Sequence, residues 1–291
     1  MEINLTLGLP NGSLQEPTFK LLNKIGMRVN LRGRSSEASV EGIGLFKRVI
    51  MMRPQDLPTA VLQGTVSCAI CGLDWVIEQE LDPSFVQAGL EGLARVREMN
   101  YAKVTRKPVR IVIFGRKDSP RLGDRNNPVR ISSEYPNITR NMYQHDDVVF
   151  SHGSTEVKVA MGLFDYGVGV TETGSSIKAH DLVIVDTLLK SPTVLVAKDS
   201  IPAIELFGEL LYGALRAENN KLLKMNVSEQ TKDQLIGALP ALQSPTLNRL
   251  ADGSYAVETV VPRDEVADLI IKLRGLGATG ILVQDLDIML P

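Results

Sequence analysis

The stretch Asp165-Tyr-Gly-Val-Gly-Val-Thr-Glu-Thr-Gly-Ser-Ser-Ile177 sets small and hydroxylated residues where a strand pattern gives way to a helix pattern. Gly174 has no Cβ, so the backbone there can turn sharply and approach a ligand closely. Backbone N–H groups at a helix start lack partners and carry partial positive charge, which suits an anion. Thr173, Ser175 and Ser176 add neutral donors around the glycine. Asp165 and Glu172 flank this cradle and offer carboxylates to sugar hydroxyls or to Mg²⁺. A phosphorylated sugar fits better than a nucleoside triphosphate in a P-loop, because the P-loop lysine is missing. The same string also reads as a polar helix cap after a strand.

Other reactive side chains are sparse. Cys68 and Cys71 form a C-x-x-C, but they lie in Val66-Ser-Cys-Ala-Ile-Cys71, which reads as a buried strand. Residues i and i+3 of a strand point to opposite faces, and a redox pair wants its first thiol at a helix N-terminus. Zinc would need about two more ligands. The three histidines, His145, His152 and His180, are remote in sequence. The cysteines are therefore expected to be small buried residues.

The elements that must position these groups follow from length and patterning. At 291 residues the chain has room for about two domains. Hydrophobic residues are 44% and charged residues 23%, as in a soluble globular protein. The net charge is -2 and no basic run stands out, which argues against nucleic acid as a main partner. No apolar run approaches the roughly 20 residues that span a bilayer. The opening Met-Glu-Ile-Asn-Leu-Thr enters a strand pattern without a signal-peptide core, so a cytoplasmic enzyme is expected.

Strand patterns cover residues 3–9, 47–52 and 66–71, with helix patterns between them. A second set has strands at 109–114, 129–133, 148–151, 166–171, 182–185 and 192–197, again interleaved with helices. Such alternation predicts layered α/β structure with a mainly parallel sheet, whose ligands sit at strand carboxyl ends. A long amphipathic helix over 201–219 connects to a last segment of different character. There the order is strand 221–227, helix 229–239, strands 246–251 and 254–261 about an Asp252-Gly253 turn, helix 263–276 and strand 280–286. That is βαββαβ, the ferredoxin-like split unit.

Taken together, these pieces resemble the long, histidine-regulated form of the ATP phosphoribosyltransferase family. Leu9-Pro-Asn-Gly-Ser-Leu14, Arg53-Pro-Gln-Asp-Leu-Pro58, Ile70-Cys-Gly-Leu-Asp74, Arg130-Ile-Ser-Ser-Glu-Tyr-Pro-Asn137, Gly153-Ser-Thr-Glu156 and Glu172-Thr-Gly-Ser-Ser-Ile177 are similar to its signature segments, in the family's order. Leu223-Lys-Met-Asn-Val227 and Ser244-Pro-Thr246 are similar to parts of its regulatory domain. The resemblance implies a two-lobed catalytic body of the type II periplasmic-binding-protein kind over residues 1–216, with a ferredoxin-like regulatory domain at 217–291. Lobe I would be about 1–92 plus 184–216, and lobe II about 93–183.

The resemblance also implies roles. ATP and 5-phosphoribosyl 1-pyrophosphate would be the substrates and Mg²⁺ the cofactor. Thr173, Gly174, Ser175 and Ser176 would hold the 5′-phosphate, with Asp165 and Glu172 at the ribose. Asn11, Ser13, Arg53, Asp74, Tyr135 and Glu156 would bind ATP or pyrophosphate. Histidine, the feedback inhibitor, would contact Asn226, Leu242, Ser244, Thr246 and Ala278. Dimers or hexamers of the chain are implied. The chain departs from the family at Asn11 (usually Lys), at Ser13 (often Arg), and at Ser67 and Gly169 (each usually Asp). Lys158, Lys178 or Arg34 could compensate. The competing reading is a paralogue that binds nucleotide or phosphosugar without turnover.

Overall fold

The apolar runs become central strands of the computed structural model, which describes residues 5–31, 36–87, 92–240 and 244–290. Contacts divide the chain into residues 1–208 and 209–291.

The first unit opens with β1 (Leu5–Pro10), α1 (Gln15–Lys24), β2 (Arg28–Leu31), β3 (Glu37–Glu41) and β4 (Phe46–Met52). Then come α2 (Leu57–Leu62), β5 (Cys68–Gly72), α3 (Leu73–Glu80), α4 (Pro83–Gln87) and β6 (Ala94–Met99). The chain crosses to a second sheet through β7 (Val109–Gly115), β8 (Arg130–Ser133), α5 (Pro136–Met142), β9 (Asp147–Phe150) and α6 (Thr155–Ala160). β10 (Tyr166–Thr171), α7 (Ser175–Ala179) and β11 (Val183–Ser191) complete that lobe. The chain returns as β12 (Thr193–Ala197), and α8 (Pro202–Glu218) follows.

The first sheet has the order β2-β3-β4-β1-β5-β12-β6 and the second β11-β7-β10-β8-β9. β1 runs parallel to β4 and β5, whereas β12 is antiparallel to both β5 and β6. The expected mainly parallel sheet is therefore mixed, because the returning strand enters the first sheet against its direction. The expected lobe limits also shift. β6 belongs to the first sheet and β11 to the second, so the crossings fall after Met99 and at Ser191–Pro192. There the two passes lie side by side: Met99 pairs with Thr193, and Val109 with Ser191.

Each lobe has its own core. Leu57, Val61, Cys71, Val76, Val194 and Val196 pack together in the first, and Ile111, Ile113, Ile131, Tyr135 and Val168 in the second. Cys68 and Cys71 are fully buried on β5, and burial pushes the Cys68 thiol up to about 12.

The second unit contains β13 (Asn220–Val227), α9 (Lys232–Ile236), β14 (Thr246–Arg249), β15 (Tyr255–Pro262), α10 (Val266–Gly275) and β16 (Thr279–Asp285). Its antiparallel sheet has the order β14-β15-β13-β16, the arrangement a split βαββαβ unit requires. Leu223, Met225, Val227, Val257 and Val261 face the helices. By contacts, the division between the units runs within α8, after Gly208.

Candidate functional site

In the second lobe β8, β9 and β10 run parallel, so their carboxyl ends share one edge. Each strand leads into a helix start: Glu134–Pro136, Ser151–Thr155 and Glu172–Ser175. Gly174 adopts φ +78°, a left-handed conformation that glycine enters without a Cβ clash. Its N–H donates to Thr171 Oγ1 at 2.9 Å, and Ser175 N–H donates weakly to Thr173 Oγ1 at 3.4 Å. Thr173, Ser175 and Ser176 are exposed while Gly174 is buried. The Ser176 hydroxyl donates to Glu156 Oε1 at 2.7 Å, which ties the loop to α6.

Asp165 does not flank this loop. It precedes β10, roughly 20 Å from Glu172 along the strand. Its carboxylate accepts the Arg130 N–H at 2.9 Å, and its carbonyl accepts the Ser119 hydroxyl at 2.8 Å. Sequence proximity suggested a pair, but the strand between the two carboxylates separates them. Glu172 does reach the cleft. Its carboxylate also accepts the N–H groups of Val104 and Thr105, on the first crossing between the lobes.

Among the described residues of the first unit, two cavities bear on the site. One, of about 270 Å³, is lined by Ser13, Pro54, Asp74, Trp75, Tyr101, Tyr135, Val170, Glu172 and Ser191, among others. The second, of about 450 Å³, is lined by Arg53, Gln55, Trp75, Glu78, Glu134, Asn137, Ser151 and His152, among others. Both draw on both lobes, and Trp75 lines both. Tyr135 packs against Trp75 with ring centroids 4.6 Å apart. Arg53 is exposed at the start of a 3₁₀ turn, and Asn11 donates its backbone N–H to the Met52 carbonyl at 2.8 Å.

Asp74 is fully enclosed. It accepts hydrogen bonds from the hydroxyls of Ser191 and Tyr135, while Ser191 Oγ accepts the Asp74 N–H at 2.8 Å. Burial raises its carboxyl above the usual range, and these hydrogen bonds offset part of that rise. Asp74 thus binds the second crossing of the chain. Glu78, also buried, accepts the N–H groups of Asn137 at 2.7 Å and Ile138 at 2.9 Å, capping α5 from the other lobe. Neither Glu78 nor Ser191 was expected from the sequence. Their partners lie 59–60 and 117 residues away, beyond any local pattern.

Among the departures, Ser67 Oγ accepts the Thr6 N–H at 3.1 Å; of the residues that could compensate, Lys158 donates from Nζ to Ser151 Oγ at 2.9 Å. Lys178 is exposed in the last turn of α7. Arg34 lies outside the described residues. In the second unit, Asn226 pairs with Ala256 and Thr279, and Thr246 begins β14 two positions from Asn248, which also pairs with Ala256. Strand alternation therefore puts Asn226 and Thr246 on one sheet face, the one opposite Met225 and Val227. Ala278 is buried just before β16, and Ser244 precedes β14. Leu242 lies outside the described residues.

Residues 53–211 match the family model for ATP phosphoribosyltransferase, and residues 217–287 match the model for the HisG C-terminal domain. The chain belongs to the ATP phosphoribosyltransferase family. The ATP phosphoribosyltransferase of Pelotomaculum thermopropionicum is 36% identical over 99% of this chain and 100% of its own length. That of Desulforudis audaxviator is likewise 36% identical over the same shares. The ATP phosphoribosyl transferase (HisG:HisZ) complex from Thermotoga maritima aligns with a TM-score of 0.54 and 26% identity, covering 67% of this chain and 87% of that one. A family member carrying the C-terminal domain is of the long form, and it is a transferase. None of these relatives favours the binding-only alternative. Among the described residues, no helix is long and apolar enough to cross a membrane.

Proposed function

We propose that the protein transfers the phosphoribosyl group of 5-phosphoribosyl 1-pyrophosphate to N1 of ATP, releasing pyrophosphate. The observation that carries this reading is that Glu172, which opens the anion-suited loop, lines the same cavity as the Trp75–Tyr135 aromatic pair. N1 of adenine attacks the anomeric carbon as the bond to pyrophosphate breaks, through an oxocarbenium-like transition state. Such a reaction asks for positioning and charge stabilisation more than for acid–base groups. The loop amides after Gly174 and the hydroxyls of Thr173, Ser175 and Ser176 hold the 5′-phosphate. Glu172 faces the ribose. Arg53 offers a guanidinium fork to the departing pyrophosphate. Ser13, Tyr135 and Trp75 frame the adenine, Asn11 lies at the same strand end, Asp74 fixes Tyr135, and Glu156 holds the loop through Ser176.

The family chemistry calls for a divalent cation, and Mg²⁺ is the ion proposed. Among the described residues, no three His, Cys, Asp or Glu side chains converge on a metal position. The donor set fits a cation carried mainly by substrate phosphate oxygens, with Glu172 among the protein carboxylates that line the cavities. When bound there, it neutralises charge building on pyrophosphate. Histidine is proposed as a feedback inhibitor through Asn226, Ser244, Thr246 and Ala278, with Leu242 alongside them in sequence. The working form is proposed to be a cytoplasmic homo-oligomer, a dimer or hexamer.

Pyrophosphate release is the direct test. Turnover requiring ATP, 5-phosphoribosyl 1-pyrophosphate and Mg²⁺ together is expected, with histidine lowering the rate. Binding of both substrates without any pyrophosphate release would leave the paralogue reading standing.

A further inference from the structure

Glycine stands at two alternate positions of β10 for different reasons. A Cβ on Gly167 would come within 2.6 Å of the Phe114 ring, so packing forbids a side chain there. A Cβ on Gly169 would meet Phe114 at 3.8 Å and the Glu134 carboxylate at 3.6 Å, which is ordinary contact. Space for a side chain at 169 therefore exists, and the Glu134 carboxylate stands beside it. Glu134 follows β8 directly and donates its N–H to the Val168 carbonyl at 3.0 Å, so it projects from the neighbouring strand on the face that residue 169 shares. The Thr155 hydroxyl donates to Glu134 Oε1 at 3.0 Å, and no other donor among the described residues hydrogen-bonds this carboxylate. Glu134 lines the larger cavity with Ser151 and His152. Its neighbour Glu156 binds Ser176 of the anion loop.

We propose that Glu134 is a substrate-binding residue for the ribosyl donor, its carboxylate accepting hydrogen bonds from a sugar hydroxyl. It takes the place that a carboxylate at position 169 would fill. Thr155 fixes one oxygen, leaving the other for the ligand. This rests on the phosphoribosyl-transfer reading and deepens it, because it assigns the contact that orients the ring between its bound phosphate and the incoming purine.

The test moves the carboxylate. Glu134→Ala is expected to raise KM for 5-phosphoribosyl 1-pyrophosphate about 10- to 100-fold, the loss of a charge-assisted hydrogen bond, with KM for ATP within about twofold. Gly169→Asp alone sets two carboxylates side by side and is expected to weaken binding. Glu134→Ala combined with Gly169→Asp is expected to recover at least about tenfold of what Glu134→Ala loses. Thermal unfolding of all variants separates misfolding from lost contact. An unchanged KM in folded Glu134→Ala, or a folded double variant no better than Glu134→Ala, overturns the assignment. Calorimetric titration with 5-phosphoribosyl 1-pyrophosphate gives the same comparison independently of turnover. A wild-type protein that binds the sugar phosphate without releasing pyrophosphate would sink the reaction and still test Glu134.

Discussion

Gly174→Val is expected to cut kcat/KM for 5-phosphoribosyl 1-pyrophosphate by about 100-fold or more while the protein stays folded. The wild-type backbone holds φ +78° at this position. A β-branched residue resists that region, at a cost of about 1–3 kcal/mol. The space itself is open: a Cβ added here would have Ile184 Cδ1 as its nearest heavy atom, at 3.6 Å. The chain would therefore relieve strain by rotating the peptide, which turns the following Ser175 and Ser176 amides out of their wild-type directions. Preorganised donors lose most of their worth when turned aside, whereas the core beneath, built on Ile177 and Phe114, is untouched. Steady-state kinetics beside a thermal melt reads both quantities. Near wild-type kinetics in a folded Gly174→Val protein would show that this loop does not grip the substrate.

Asp74→Ala is expected to lower global stability by about 3 kcal/mol, from lost hydrogen bonds at Ser191 and Tyr135 left unpartnered in a buried site. Asp74→Asn has a different signature. Burial raises the Asp74 carboxyl in the folded state above its unfolded value. The folded protein thus keeps this proton to higher pH than the unfolded chain does. The stabilising contribution is full below the unfolded value, near pH 4, and is lost as pH rises through the folded one. Asn carries no charge to bury. The stability of Asp74→Asn relative to wild type should therefore climb with pH from about 4 upward. Glu78 and Glu134 are raised by burial too, but they are common to both proteins and cancel in the difference. Denaturant melts at several pH values give the curve. A flat difference would mean that Asp74 keeps its charge at no cost to the fold.

Local patterning carried most of the architecture. β5, β7 and β12 are largely apolar runs bounded by glycine, proline or a polar residue, and the Asp252-Gly253 turn marks the hairpin of the second unit. β2, β3 and β6 carry no such signal. β2 is Arg-Val-Asn-Leu and mostly exposed, and β6 is Ala-Arg-Val-Arg-Glu-Met with charges alternating along it. Such strands exist because a neighbour pairs with them, and their composition alone does not announce it. The same limit hid the lobe boundaries, since the strand that captures β6 comes about a hundred residues later. At the site, helix-start chemistry was legible around Gly174, where all the parts are sequential. Glu78, Glu134 and Ser191 were not legible, because each acts on a strand or helix start remote from it. Asp165 was misplaced for the complementary reason: neighbours in sequence are pushed to opposite ends by a strand.

The order β5-β12-β6 has a consequence for how the molecule is made. A ribosome delivers β6 long before β12, yet among the described residues β6 pairs with β12 and no other strand. During that interval residues 109–191 can complete their own sheet, while a slot beside β5 waits open. Amides of Arg95–Met99 in a nascent chain arrested near residue 190 should then exchange with solvent freely, and become protected only after Ala197 has emerged. The first lobe to be translated is the last to close.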